Sequence, residues 1–331
     1  MPKASLDQIR KTTHRALTQS GAEDWIAAHV ADAVTVAESF GNRICGLAYL
    51  ESYCRQLGTG RVKGDVTPEV SRPRAGTVLV DAKYGFAQPA FAKALPQALE
   101  AARETGIASL AITHAHTCTS LGYFTAQIAR AGLVGIGLTN ASPVVAAPGG
   151  KARVIGTNPI SFAVPDGAGG MAMQFDQSTT AVALGKIKFA KATGEQIPEG
   201  WAVDKHGQPT TDPAAALEGS LKSLGGDMAY KGWGFGLMAE VLGAAMTGSA
   251  ISRNVKPLLS PDGPPHDLGQ YFILIDPATS DQFTARMIEI AEGIAMDPGA
   301  RMPGQGKTPS DPIDVDETVW HLAEAFAAGS A

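Results

Sequence analysis

Apolar positions recur at helical spacing through the first sixty residues, and short apolar runs alternate with helical stretches after that. Ser5, with Gln8 three residues on, reads as a helix start with a capping box. A second helix is predicted from Ala22 to Phe40, where Trp25, Ile26, Val30, Val34 and Val36 share one broad face and Gly41 stops it. A third runs from Ile44 or Leu47 to Leu57 and closes at Gly58-Thr59-Gly60. From Val66 the pattern changes. Thr77–Asp81 is strand-like, and Ala87–Thr105 is a helix with Phe91, Leu95, Leu99 and Ala102 on one side. Gly106 caps it, and Ile107–Ile112 is a buried strand. Tyr123–Arg130 reads as helix and Leu133–Leu138 as strand, so the class is α/β.

The second half continues the alternation. Met171–Phe175 is strand-like and runs into Asp176-Gln177-Ser178-Thr179-Thr180, followed by a helix within Ala181–Thr193. Residues 194–213 are rich in turn formers, yet Ile197 and Trp201 need burial, which predicts an ordered excursion. Tyr230–Met246 is a helix with Lys231 at its start, Tyr271–Ile275 a strand, Gln282–Ala295 a helix, and Asp316–Ala328 a final helix.

Composition narrows the class. Charged residues are 18 % and hydrophobic residues 44 % of 331, the balance of a compact folded enzyme. A net charge of −5 argues against nucleic acid or an anionic membrane as partner. Cys45, Cys54 and Cys118 have no metal-site spacing, and so sparse a count suits a reducing, cytoplasmic setting. Met1–Gln19 has no apolar core of the kind a signal peptide carries, and no run approaches a membrane span.

The chain lacks G-x-G-x-x-G after a strand, so an ordinary Rossmann domain is unsupported, and it lacks a P-loop and H-E-x-x-H. His114 and His116 alternate along a strand and are expected to share a face unless a bulge intervenes. With no third ligand in sight, no metal site is assigned. Either histidine alone also fits a structural role. Their position at a strand end beside Thr117, Cys118, Thr119 and Ser120 favours a pocket. Lys231 at a helix start suits a phosphate. Asp176 at a strand end suits ribose hydroxyls, or merely a turn.

Seven segments then come in a fixed order: Thr139-Asn140-Ala141, Gly156-Thr157-Asn158-Pro159-Ile160, Asp176 to Ala181, Gly185-Lys186-Ile187, Ile197 to Ala202, Pro209 to Pro213, and Lys231-Gly232. Together they resemble the malate/L-lactate dehydrogenase family. That family also contains ureidoglycolate and sulfolactate dehydrogenases, diketogulonate reductase and the Δ1-piperideine/Δ1-pyrroline-2-carboxylate reductases. The resemblance covers nearly the whole chain. It implies a non-Rossmann fold with a large mixed sheet, a helical N-terminal region and a C-terminal helix. The expected regions are 1–62 (helical), 63–115 (small α/β, joined by 298–331) and 116–297 (large, cofactor-binding). The implied assembly is a homodimer, the cofactor NADPH or NADH, and the reaction hydride exchange with C2 of a 2-oxo acid or cyclic 2-imino acid. On the family pattern, Thr117, Cys118, Thr119, Ser120 and Leu121 hold the cofactor. So do Asp176, Gln177, Ser178, Lys231, Gly304, Gln305 and Gly306. Thr157 falls near the substrate carboxylate.

The chain departs from the family at the proton donor. The family's Ser-His-Gly, followed two residues later by Arg, reads here Ile44-Cys45-Gly46-Leu47-Ala48-Tyr49. Its Ser-Asn-His-Phe-Gly reads Ala115-His116-Thr117-Cys118-Thr119, and the acid of the imine reductases falls on Lys186, a substrate-side position. Cys45, Tyr49 and His116 are thus the candidates for the missing donor. A ketone needs a proton delivered to oxygen as hydride arrives, whereas an imine nitrogen can arrive protonated. The expected function is reduction of a 2-oxo or 2-imino acid. The alternatives are an imine reductase specifically, or an altered member that only binds ligand.

Overall fold

The computed structural model describes residues 1–331. Helix α1 (Leu6–Gln19) opens with the expected capping box: the Gln8 N–H donates to Ser5 Oγ at 3.2 Å, and the Ser5 N–H to Gln8 Oε1 at 2.8 Å. Helix α2 (Asp24–Ser39) follows. Two 3-10 turns, Arg43–Cys45 and Leu47–Tyr49, then lead into α3 (Leu50–Gly58). The third helix therefore begins later than its apolar pattern suggests. The reason is Glu38, buried in α2, whose Oε1 accepts the Leu47 N–H at 2.7 Å and holds the second turn in place. Gly46 passes directly beside that carboxylate, where no side chain fits.

The main sheet has seven strands: β1 (Glu69–Arg74), β2 (Thr77–Asp81), β3 (Ile107–Ala115), β4 (Val134–Thr139), β5 (Ile160–Pro165), β6 (Met171–Gln177) and β7 (Leu268–Ile275). Their spatial order is β1-β2-β3-β7-β4-β5-β6. Only β2 and β3 run parallel, joined by α4 (Ala87–Thr105), whose limits match the sequence pattern. The other neighbours are antiparallel, so the sheet is mixed. Helix α4 and α5 (Gly122–Arg130) cover one face. Phe91, Phe124 and Phe272 meet there with ring centroids 5.0–5.4 Å apart.

A four-stranded sheet of very short strands orders Ala202–Val203, Ser220–Leu221, Val145–Ala146 and Arg153–Ile155. Helix α6 (Leu184–Thr193) and α7 (Pro213–Glu218) close a small core on it that buries Ile187, Ile197 and Leu221, with Trp201 packed alongside. The polar excursion is thus ordered, as its apolar residues require. Helix α8 (Ala229–Glu240) ends in a π turn at Val241–Ala245, and α9 (Phe283–Ala295) lies on the surface. The last helix, α10 (Glu317–Ala327), packs on α1 and α3, and Ile313–Asp314 pairs with Lys3–Ala4. Within the C-terminal residues 298–331, Ile313 and α10 pack on the N-terminal helical core, while Pro303 and Gly304 lie against β6. The expected boundary at residue 115 falls within the main sheet, whose strands come from both sides of it. No helix is long and apolar enough to cross a membrane.

Candidate active site

Cys45, Tyr49, residues 117–121 and Asp176 come together where the turns before α3, the β3–α5 connection (residues 116–121) and the end of β6 meet, whereas Thr157 and Lys231 lie with α8. Cys45 closes the first 3-10 turn and is half-buried. Burial, and then the nearby Asp176 carboxylate, push its thiol up to about 11. Tyr49 ends the second turn, its ring 5.0 Å from that of Tyr53 and its hydroxyl buried. Burial raises the Tyr49 phenol above its ordinary range, with Cys45 adding to the effect and Arg61 opposing it. Both acids are therefore held protonated and uncharged at neutral pH.

His114 and His116 do not share a face, which corrects the strand-alternation reading. His114 takes φ +49°, and the register against β7 shifts by one residue between Leu268 and Gln270, so a bulge turns the chain. His114 Nδ1 lies 3.1 Å from Asp81 Oδ1. His116 points the other way, into the helical core, where its Nε2 meets Gln56 Oε1 at 2.5 Å. Its ring stacks on His266, centroids 3.9 Å apart and 18° between planes. Burial, followed by His266, lowers the His116 pKa well below the ordinary imidazole value. His116 is consequently a neutral imidazole behind the site and a poor source of protons at neutral pH.

Residues 117–121 are held from several directions. The Thr117 N–H donates to His266 Nδ1 at 3.3 Å, Gln88 Nε2 to the Cys118 carbonyl at 3.3 Å, and the Tyr53 hydroxyl to Thr119 Oγ1 at 3.4 Å. Thr119 adopts φ +56°. Cys118 and Leu121 are buried and anchor the connection in the core, leaving Thr119 and Ser120 at the open side.

Asp176 sits against the N-terminus of α5. Its carboxylate accepts the Gly122 N–H at 2.7 Å and the Ser120 hydroxyl at 3.4 Å. Asp176 is exposed at the end of β6, while the atoms crowded around its carboxylate push its pKa upward by desolvation, against those hydrogen bonds. Ser120, Asp176 and Gly304 line one groove of about 710 Å³ together with Asn42, Arg130 and Lys307. Gly304 takes φ +83° and lies against the backbone of Gln174, so a side chain there would collide with β6. Gln305 Oε1 accepts the Met302 N–H at 2.9 Å, and Gly306 takes φ +73°. Gln177 is exposed at the end of β6. Ser178 Oγ meets Thr180 Oγ1 at 2.9 Å.

Lys186 is exposed in the first turn of α6 and has no ion pair. The preceding Gly185 faces Ile44, whose Cδ1 would lie 3.9 Å from a Cβ there, so α6 starts beside the Ile44-Cys45 turn. Lys231 is exposed in the first turn of α8, its Nζ 6.0 Å from the Tyr230 ring centroid. The Thr157 carbonyl accepts the N–H and hydroxyl of Thr179. Asn158 beside it is fully buried with φ +35°, and its Nδ2 donates to Glu240 Oε2 at 2.8 Å and the Gly236 carbonyl at 3.0 Å. This clamp fixes Thr157 to α8.

Sequence reasoning missed Glu38, Gln56, Arg61, Glu240 and His266. None belongs to a local motif, and each acts on a segment distant in the chain except Glu38. Its signal was Gly46 following a helix that carries a lone acid on its buried face.

The groove is lined by side chains of both charge signs. It has one carboxylate at a helix start for hydroxyl groups, and two cations, Arg130 and Lys307, that have no acidic partner. Residues 4–313 match the family model described as malate/L-lactate dehydrogenase. The chain is 37 % identical over 302 residues to a (2R)-3-sulfolactate dehydrogenase (NADP(+)) of Chromohalobacter salexigens, covering 91 % of this chain and 89 % of that protein. It is 38 % identical over 288 residues to a Δ1-pyrroline-2-carboxylate/Δ1-piperideine-2-carboxylate reductase of Pseudomonas putida, covering 86 % and 83 %. The crystal structure of a Δ1-piperideine-2-carboxylate reductase from Pseudomonas syringae pvar. tomato is similar at TM-score 0.87 and 29 % identity, over 98 % of this chain and 100 % of that one. This chain belongs to the malate/L-lactate dehydrogenase family.

Proposed function

We propose that this chain is an NAD(P)H-dependent reductase that delivers hydride to C2 of a small cyclic 2-imino acid in preference to a 2-oxo acid. One observation carries the preference. Cys45 stands where the family pattern has its histidine, and the imidazole of His116 is turned away into the helical core against Gln56 and His266. A ketone becomes an alkoxide as hydride arrives and needs a ready proton. A protonated imine becomes a neutral amine and needs none. The reduced nicotinamide supplies the hydride. Cys45 and Tyr49 shape the pocket and keep water from the reacting carbon, and His116 supports them from behind. Thr157 and Lys186 receive the carboxylate. Residues 117–121, Asp176 to Ser178, Lys231 and Gly304 to Gly306 hold the cofactor.

Steady-state assays with NADPH and NADH test this on Δ1-pyrroline-2-carboxylate, Δ1-piperideine-2-carboxylate, pyruvate, oxaloacetate and sulfopyruvate. The expected result is kcat/KM for an imine at least about tenfold above every ketone, a 1.4 kcal/mol difference in barrier. A ketone ranked first sinks the imine preference. Cofactor binding without turnover on any of the five favours an altered member that only binds ligand.

A homodimer goes with this reading. Met228, Tyr230, Phe235, Met238, Val241 and Met246 expose an apolar face on and around α8, and such a face is suited to a second copy. Phe235→Asp should convert a dimer to a monomer in sedimentation velocity, and a monomeric wild type refutes the assignment. The three cysteines are free, which suits the cytoplasm.

A further inference from the structure

The segment from Pro257 to His266 has no regular structure and contains Pro257, Pro261, Pro264 and Pro265. Prolines carry no N–H, so the segment has more carbonyls than donors and must borrow donors from elsewhere. They come from α3 and the turn after it. Gln56 Nε2 donates to the Leu258 carbonyl at 2.8 Å and the Ser260 carbonyl at 2.6 Å. Arg61 donates to the carbonyls of Pro257 and Pro264, each at 3.0 Å, and to that of Ser260. The Thr59 hydroxyl donates to the Pro261 carbonyl at 2.7 Å. Arg61 is only 2 % exposed, so its charge is committed to this strap and not to a ligand.

Those donors also fix the orientation of everything at the strap's end. Both Gln56 amide hydrogens are spent on carbonyls, so its oxygen must accept, and His116 carries its proton on Nε2. The Thr117 N–H donates to His266 Nδ1, so His266 carries its proton on Nε2. The stacked rings are two neutral imidazoles of assigned tautomer. His116 Nδ1 is left as a buried free acceptor and His266 Nε2 as a buried free donor.

We infer that His266 is a positioning residue for the cofactor-side connection: the prolyl strap, clamped by Gln56 and Arg61, presents the His266 Nδ1 lone pair to the Thr117 N–H and so sets where residues 117–121 stand. The inference rests on the reading above, in which those residues touch the dinucleotide. His266 itself touches no reacting atom. It acts through Thr117, and through the ring of His116 stacked on it.

An asparagine and a glutamine separate this role from mere packing. Asparagine Oδ1 occupies the place of imidazole Nδ1 and can accept the Thr117 N–H. Glutamine places its oxygen where Nε2 was and cannot. The experiment is NADPH titration by fluorescence, with kcat and KM for the best substrate, on wild type, His266→Ala, His266→Asn and His266→Gln, each checked for folding by circular dichroism. Wild-type binding comes first, because its failure refutes the cofactor reading and not this one. Given binding, His266→Gln and His266→Ala should weaken NADPH about tenfold to a hundredfold, the effect of one orphaned buried N–H. His266→Asn should stay within about threefold of wild type, and kcat should change less than KM for NADPH throughout. Equal weakening in all three variants, or none in any, overturns the inference. If His266→Ala fails to fold, the asparagine and glutamine variants still decide it.

Discussion

Gly46→Ala offers a sharp test of how the reactive turn is built. A Cβ at residue 46 would stand 2.7 Å from Glu38 Cδ and 2.8 Å from Cγ, and closer still to Oε1. Such contacts are too short for unbonded carbons, so one partner must move. Glu38 is 3 % exposed and cannot swing into solvent without breaking its 2.7 Å bond from the Leu47 N–H, which is itself buried. Overpacking costs about 1–3 kcal/mol. An orphaned buried N–H adds about 1–3 kcal/mol. A loss of about 4 kcal/mol is expected, a large part of the roughly 5–15 kcal/mol that holds a domain together. Urea unfolding of Gly46→Ala against wild type measures it. The same substitution in a Glu38→Ala background isolates the cause, because the clash is then gone and only the backbone at φ −100°, ψ −135° is left to object. A stability change below about 0.5 kcal/mol in the wild-type background, or an undiminished one in the Glu38→Ala background, refutes the reasoning.

Further outcomes follow from the same geometry. With its thiol near 11, Cys45 is about one part in a thousand thiolate at pH 8, so iodoacetamide should label it far more slowly than a free peptide cysteine. Labelling at the peptide rate, read by mass spectrometry, would contradict its burial. His266 is depressed to about 3 by burial, with Arg61 adding to it, so the unfolded chain binds its proton first as pH falls. Its contribution to stability is full above the unfolded value near 6.5 and is lost on acidification. It amounts to about 3 kcal/mol lost between pH 7 and pH 4.5. His266→Asn should flatten that part of the stability-versus-pH curve, and an unchanged curve would assign the acid limb elsewhere. Asn158→Ala strands donors and acceptors around Glu240 and leaves a β-carbon residue at φ +35°; calorimetry should show a loss of about 3 kcal/mol.

Local signals made much of the fold legible. The Ser5–Gln8 capping box, the helix from Ala87 to Thr105 and its Gly106 stop are determined by neighbours within one or two turns, and they appear where the pattern puts them. The four-stranded sheet could not be read, because strands of two or three residues are too short to show alternation. Strand alternation alone does not set the face of His116, because a bulge with a left-handed residue, His114, reverses the count. The ordered motifs singled out Thr157 and Asp176, and the strand end singled out the 116–121 connection. The residues that orient them were invisible. Gln56 and Arg61 reach a strap about two hundred residues away, and Thr117 meets His266 across a separation of 149. Such pairs leave no periodic trace.

The position of β7 has a consequence for how the chain comes to be folded. That strand is the last of the seven in sequence, yet it sits between β3 and β4 and bonds to both. Before it emerges from the ribosome, β1-β2-β3 and β4-β5-β6 are two separate half-sheets with facing open edges. At about 5–20 residues per second, roughly 8–30 s of synthesis separate the end of β3 from the start of β7. Through that interval the edge of β3, and that of β4 once it is made, lack the strand that later joins them, and an unpaired edge is a site for wrong pairing.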